Sequence, residues 1–133
     1  MEGELRIEIR SDADVVRARQ SGRALAQRCG FTGSDVVFIA TAISEIARNI
    51  IVYAVEGEML MQPVEADGRK GMVVVARDEG PGVADLRLAL QDGYSTGNGL
   101  GLGLPGTRRL MDDFEIVSEA GRGTTGTMGK WLS

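Results

Sequence analysis

Between residues 34 and 54 the apolar side chains Val36, Ile39, Ile43, Ile46 and Ile50 recur every three or four positions. That is the helical period, and it lines one face of a long helix with branched side chains. Ser34 or Asp35 can cap the first turn, and neither glycine nor proline interrupts the run before about Ala54. Such a face needs another layer to bury it, so the rest of the chain must supply one. The same helix carries Glu45 and Asn49, four residues apart and therefore on one stripe, which Phe38 and Ala42 continue backwards. One reading is a polar edge near solvent. The other is a ligand site: an Asn Oδ1 is a hard neutral oxygen that suits Mg²⁺, and a Glu one turn earlier can accept or orient a hydroxyl proton.

The partner layer is legible as strands. "LRIEIR" (5–10) alternates apolar and polar residues, "EMLMQPVEA" (58–66) reads as a strand with Pro63 suggesting an edge or bulge, and "MVVVARD" (72–78) is a strong strand after the turn "DGRKG" (67–71). A first helix is expected over 13–29, capped by Asp12 and ended by Gly30. A short helix fits 83–90. "LPGTRRLMDD" reads as another helix with Pro105 in its first turn. "FEIVSEA" and "GTTGTMGKWL" close the chain as an antiparallel pair around "GRG". Strands and helices are segregated, so the expected class is α+β, a two-layer sandwich: a mixed, mostly antiparallel sheet with helices on one face, in one domain over 1–133.

The absence of histidine removes much chemistry. Ser-His-Asp and Cys-His catalysis, His-based zinc sites and phosphorylation on histidine are excluded within the chain. The net charge of −4 argues against nucleic acid as a partner. No apolar run reaches membrane-spanning length, and "MEGELRIEIR" lacks a signal-peptide apolar region, so a cytoplasmic protein with no membrane partner is expected. The single cysteine, Cys29, fits a small buried hydrophobe in a reducing compartment.

Three glycine-rich segments remain. "DEGPG" (78–82) follows the strongest strand; it is a tight turn, or else it places the Asp78 carboxylate and the yielding backbone at Gly80 and Gly82 beside a ligand ring with an exocyclic amine. "GNGLGLG" (97–103) precedes a helix, so backbone N–H groups at Gly99, Gly101 and Gly103 can face an anion with the helix N-terminus behind them; a mobile surface loop is the alternative. A dinucleotide-binding βαβ unit does not surround it. A P-loop is absent too, since the only lysines are Lys70 and Lys130. "GRGTTGT" (121–127) by itself is a hairpin turn.

Taken in order, E-x-x-x-N on a helix, D-x-G-x-G after a strand, G-x-G-x-G before a helix and G-x-G-T near the end resemble the ATP-binding (Bergerat) fold shared by gyrase, the Hsp90 chaperone, sensor histidine kinases and MutL. The fit runs over essentially the whole chain. Within that superfamily, "TAISEIARNI", "DEGPGVADL", "DGYSTGNGLGLGLPGTRRLMDDFEI" and "KWL" are most similar to the RsbT-type switch serine/threonine kinases of the bacterial stressosome. The resemblance implies ATP and Mg²⁺ as cofactors and phosphate transfer to STAS-domain partners of the RsbS/RsbR kind, with release to activate an RsbU-like phosphatase. By position it implies Glu45 as catalytic base or hydroxyl-orienting group, Asn49 on Mg²⁺ and Asp78 on the adenine amine. Gly80 and Gly82 would shape that pocket. Gly99, Gly101 and Gly103 would lie on the phosphates, Thr124 near adenine, and Arg108 at a phosphate or simply in solvent. The alternatives are an anti-sigma factor kinase of the RsbW/SpoIIAB kind, or a non-catalytic module gated by nucleotide.

Overall fold

A computed structural model of the chain describes residues 4–54, 56–79, 103–119 and 123–132. Along them run β1 (Leu5–Ile9), α1 (Asp12–Cys29), α2 (Ser34–Ala54), β2 (Gly57–Ala66), β3 (Arg69–Asp78), α3 (Gly103–Leu110), β4 (Asp113–Glu119) and β5 (Gly123–Trp131). The helix expected over 83–90 and the glycine-rich stretch up to 102 lie outside the described residues.

The strands form one sheet in the order β1-β2-β3-β5-β4, and every described pairing is antiparallel. Alternation decides which side is buried. Ile7, Ile9, Met59, Met61, Met72, Val74, Ala76 and Met128 all turn to the helical face and are buried there. The isoleucine stripe of α2 lies against them, with Ile39, Ile43, Ile46 and Ile50 all buried. Each such side chain contributes about 1.5–3 kcal/mol when fully removed from water. Methionines fill the irregular space between branched side chains and sheet, as an unbranched thioether can.

Three local expectations need correction. The first helix is not capped by Asp12, which is already its first residue. Ser11 is the N-cap, without a side-chain bond to the helix backbone, and Asp14 reaches back instead, its Oδ2 accepting the Arg10 N–H at 2.9 Å. That bond holds the Asp14 carboxyl below the usual carboxylate range. The turn is not 67–71 but Asp67 and Gly68 alone, since Ala66 pairs with Arg69. Both turn residues have positive φ, 54° and 77°, the two-residue hairpin geometry an Asp-Gly pair favours. The helix begun at Gly103 stops at Leu110, short of "MDD", because the Asp112 N–H turns to the Gly129 carbonyl at 3.0 Å and leads into β4.

Gly30 ends α1, and the N–H groups of Gly30 and Phe31 return to the carbonyls of Gln27 and Ala26. Among the described residues Pro63 lies past the last pair of β1 with β2, Leu5 with Met61, and donates to no described bond of that ladder. Cys29 is half-buried, and burial pushes its thiol pKa up. No described helix is long and apolar enough to cross a membrane.

Candidate functional site

The α2 turn that carries Glu45 and Asn49 is held over the ends of β3 and β5 by its neighbours in sequence. Ile46 points at β5, where a Cβ on Gly126 would lie 2.8 Å from Ile46 Cδ1. Ile50 points at the start of β2, where a Cβ on Gly57 would meet Ile50 Cγ2 at 2.8 Å and Asp78 Cβ at 3.1 Å. Two glycines therefore let one helical turn settle close to the sheet, and Asp78 shares the second contact. The branched residues aim inward, so the stripe with Glu45 and Asn49 is rotated to one side of them, and α3 packs along the same helix.

Asp78 is half-buried at the end of β3, opposite Thr124 in the β3–β5 ladder. Its Oδ1 accepts the Thr124 N–H at 3.3 Å. Gly123, the residue before, has φ 118°, and a Cβ there would overlap the Asp78 carbonyl oxygen. Conformation and space both require glycine at this point. Gly123→Ala is expected to destabilise the fold by about 1–3 kcal/mol, the range for an L-residue held in such a conformation. Urea unfolding tests it, and a midpoint equal to that of the parent protein would refute the close approach of β5 to Asp78.

Glu45 is 9% exposed. Its Oε1 accepts from Arg48 Nη1 at 3.1 Å, a pair in which Arg48 is half-exposed. Asn49 is distinguished by its amide: among the described residues Nδ2 is buried without a hydrogen-bond partner. Amide N and O are assigned from their surroundings, so an orphaned buried amide with no donor-specific partner equally offers its oxygen.

Gly103 opens α3, putting the last glycine of the "GNGLGLG" run at a helix N-terminus. In the next turn Thr107 is buried, while Arg108 is exposed and makes no described contact. Gly80, Gly82, Gly99 and Gly101 lie outside the described residues. The structure thus brings Asp78 and Thr124 together and sets the Glu45–Asn49 turn beside them, whereas Arg108 is joined to none of them. Sequence reasoning missed Gly57, Gly126, Arg48 and Lys130. Arg48 had a signal, its i,i+3 spacing from Glu45; the two glycines had none.

The antiparallel sheet with helices on one face is the architecture of a nucleotide-binding ATPase domain. The profile of the histidine kinase-like ATPase domain matches residues 9–130, and the chain belongs to that family. The mycobacterial sensor histidine kinase MprB has the same fold, with a TM-score of 0.57 at 14% identity over 96% of this chain and 97% of that one. In sequence the chain is 48% identical to the serine/threonine-protein kinase RsbT of Bacillus subtilis, over 95% of each protein. It is 30% identical to the anti-sigma F factor of a Thermoanaerobacter species, over 86% of this chain and 83% of the relative. The chain is an ATP-binding serine/threonine-protein kinase of the partner-switching kind.

Proposed function

We propose that this kinase acts in the cytoplasm as a single domain over residues 1–133. In this reading it transfers the γ-phosphate of ATP to a serine or threonine of STAS-domain partners resembling RsbS and RsbR. Once its partners are phosphorylated it is released to bind and activate an RsbU-like phosphatase. The observation that carries the reading is the α2 turn with Glu45 and Asn49 packed, through Ile50 and Gly57, beside Asp78 and Thr124. The 48% identity to RsbT, against 30% to an anti-sigma F factor, favours a switch kinase over a direct sigma-binding one.

The residues divide the work. The Asp78 carboxylate accepts the adenine amine, Gly80 and Gly82 let backbone approach the ring, and Thr124 borders it. Gly99, Gly101 and Gly103 turn N–H groups to the phosphates, with the α3 N-terminus adding partial positive charge. Arg108 is left for a phosphate oxygen. Asn49 fits a hard divalent cation through its amide oxygen; Mg²⁺ is usually held by few protein ligands together with phosphate oxygens and water. When bound, Mg²⁺ neutralises charge on the phosphates. Glu45 accepts the hydrogen bond of the acceptor hydroxyl and holds it in line with the γ-phosphorus. Phosphoryl transfer asks mainly for such positioning and charge neutralisation, so no histidine is needed.

The test incubates the protein and Mg-ATP with the STAS-domain proteins of its own source, then reads phosphoserine and phosphothreonine by mass spectrometry. One modified residue on a STAS partner is expected. ATP binding without phosphate on any STAS partner would sink the proposal.

A further inference from the structure

Lys130 is an unusual lysine. Its side chain is only 11% exposed, yet it lies near the end of an otherwise ordinary strand. The ammonium donates to the Leu110 carbonyl at 3.1 Å, the last residue of α3. It also lies 3.7 Å from Asp112 and 4.0 Å from Asp35, and 5.8 Å from the centre of the Phe38 ring. One cation therefore joins the C-terminus of α3, the turn after it, the first turns of α2, and β5. A cation at a helix C-terminus meets both its unsatisfied carbonyls and the negative end of its dipole. The backbone nearby adds to the join: the Trp131 N–H donates to Asp112 Oδ2 at 2.8 Å, and the Trp131 indole donates to Asp113 Oδ2 at 2.7 Å.

The other end of α3 is Gly103. An eight-residue helix is about 12 Å long, so a tilt of only about 5° at the anchored end moves the far end by about 1 Å. Displacements of that size matter wherever groups must meet phosphates in fixed geometry.

We propose that Lys130 is a positioning residue for phosphate binding: it anchors the C-terminus of α3 so that the N-terminus at Gly103 stays aimed at the nucleotide phosphates. The inference rests on the phosphate role proposed for Gly103. It assigns no contact between Lys130 and nucleotide, and it separates the phosphate end of the site from the adenine end. Asp78 and Thr124 lie on β3 and β5 themselves and need no anchor on α3.

The experiment measures the affinities of the full chain for ATP and for adenosine by calorimetry in Mg²⁺ buffer, in the parent protein and in Lys130→Met, Lys130→Gln and Lys130→Arg. The parent protein is expected to bind ATP more tightly than adenosine. Lys130→Met should lose roughly tenfold in ATP affinity with adenosine unchanged, so that the ratio of the two collapses towards one. Lys130→Arg, which keeps a cation and its donors, should restore most of the ratio. Lys130→Gln gives the same reading should the methionine variant fail to fold. An unchanged ratio in the folded neutral variant, or equal losses for both ligands, would overturn the role of Lys130. A parent protein that binds ATP no better than adenosine would instead overturn the phosphate reading of Gly103 on which it rests.

Discussion

Glu45→Ala is expected to bind ATP like the parent protein and to transfer phosphate roughly 10²- to 10⁴-fold more slowly, the span that one positioned acid–base group contributes. The separation follows from where the residue sits. Its neighbours Ile46 and Ile50, not Glu45, hold α2 on the sheet through the close approaches at Gly126 and Gly57. Truncating Glu45 thus leaves the packing around Asp78 in place. The partner it abandons, Arg48, is 45% exposed and rehydrates readily, so the lost ion pair costs no more than about 1 kcal/mol. Single-turnover transfer to a STAS partner, beside calorimetric ATP titration, makes the comparison. Glu45→Gln is informative as well: it keeps the shape of the side chain but not the negative acceptor, and it should be nearly as slow. Transfer by Glu45→Ala at a rate close to that of the parent protein would remove Glu45 from the chemistry.

What could be read in advance followed from how local the physics is. The α2 stripe is a matter of period, and all five of its apolar members came out buried. The Asp67–Gly68 hairpin is turn chemistry between two residues, legible to within the span of the turn. The cap of α1 was misplaced by one residue, on Asp12 instead of Ser11, because Ser11, Asp12 and Asp14 are all possible acceptors in sequence, and only the path of the chain at Arg10 decides among them. The sheet order is a different matter. That β5 inserts between β3 and β4 rests on pairings some fifty residues apart, such as Asp78 with Thr124, and no window of sequence contains both.

The site divides along the same line. Glu45 and Asn49 were visible as a spacing, and the glycine boxes were visible as motifs. Each box alone reads equally as turn or ligand loop, and the resemblance rested on their order along the chain rather than on any one of them. Gly57 falls just outside the strand read over 58–66 and Gly126 inside the box read as a hairpin turn, so nothing local marked either. Their role appears only when α2 is laid across the sheet and its isoleucines need room. Lys130 acts on a carbonyl twenty residues away and on the first turns of a helix still further off, so neither period nor motif could mark it.

Asp78→Asn is expected to lower ATP affinity by about a hundredfold, close to 3 kcal/mol, while the fold remains intact. The carboxylate presents acceptors only, whereas the adenine amine is a donor. An asparagine can keep the 3.3 Å bond from the Thr124 N–H on its Oδ1, and then it sets an NH₂ group against the amine. Rotated, it meets the amine with its oxygen but loses the Thr124 bond. Either way one buried donor goes unpaired, and that loss, not the change of one atom, sets the size of the effect. Stability should change little, because the β3–β5 ladder holds Asp78 opposite Thr124 through backbone bonds that the substitution does not touch. Calorimetry with ATP and with inosine triphosphate, which has a carbonyl in place of the amine, resolves the point. The parent protein should prefer ATP strongly. In the Asp78→Asn variant the preference should shrink or reverse, since an amide NH₂ can donate to the inosine carbonyl. Equal loss of affinity for both nucleotides would make Asp78 a brace for the strand end and not the reader of the base.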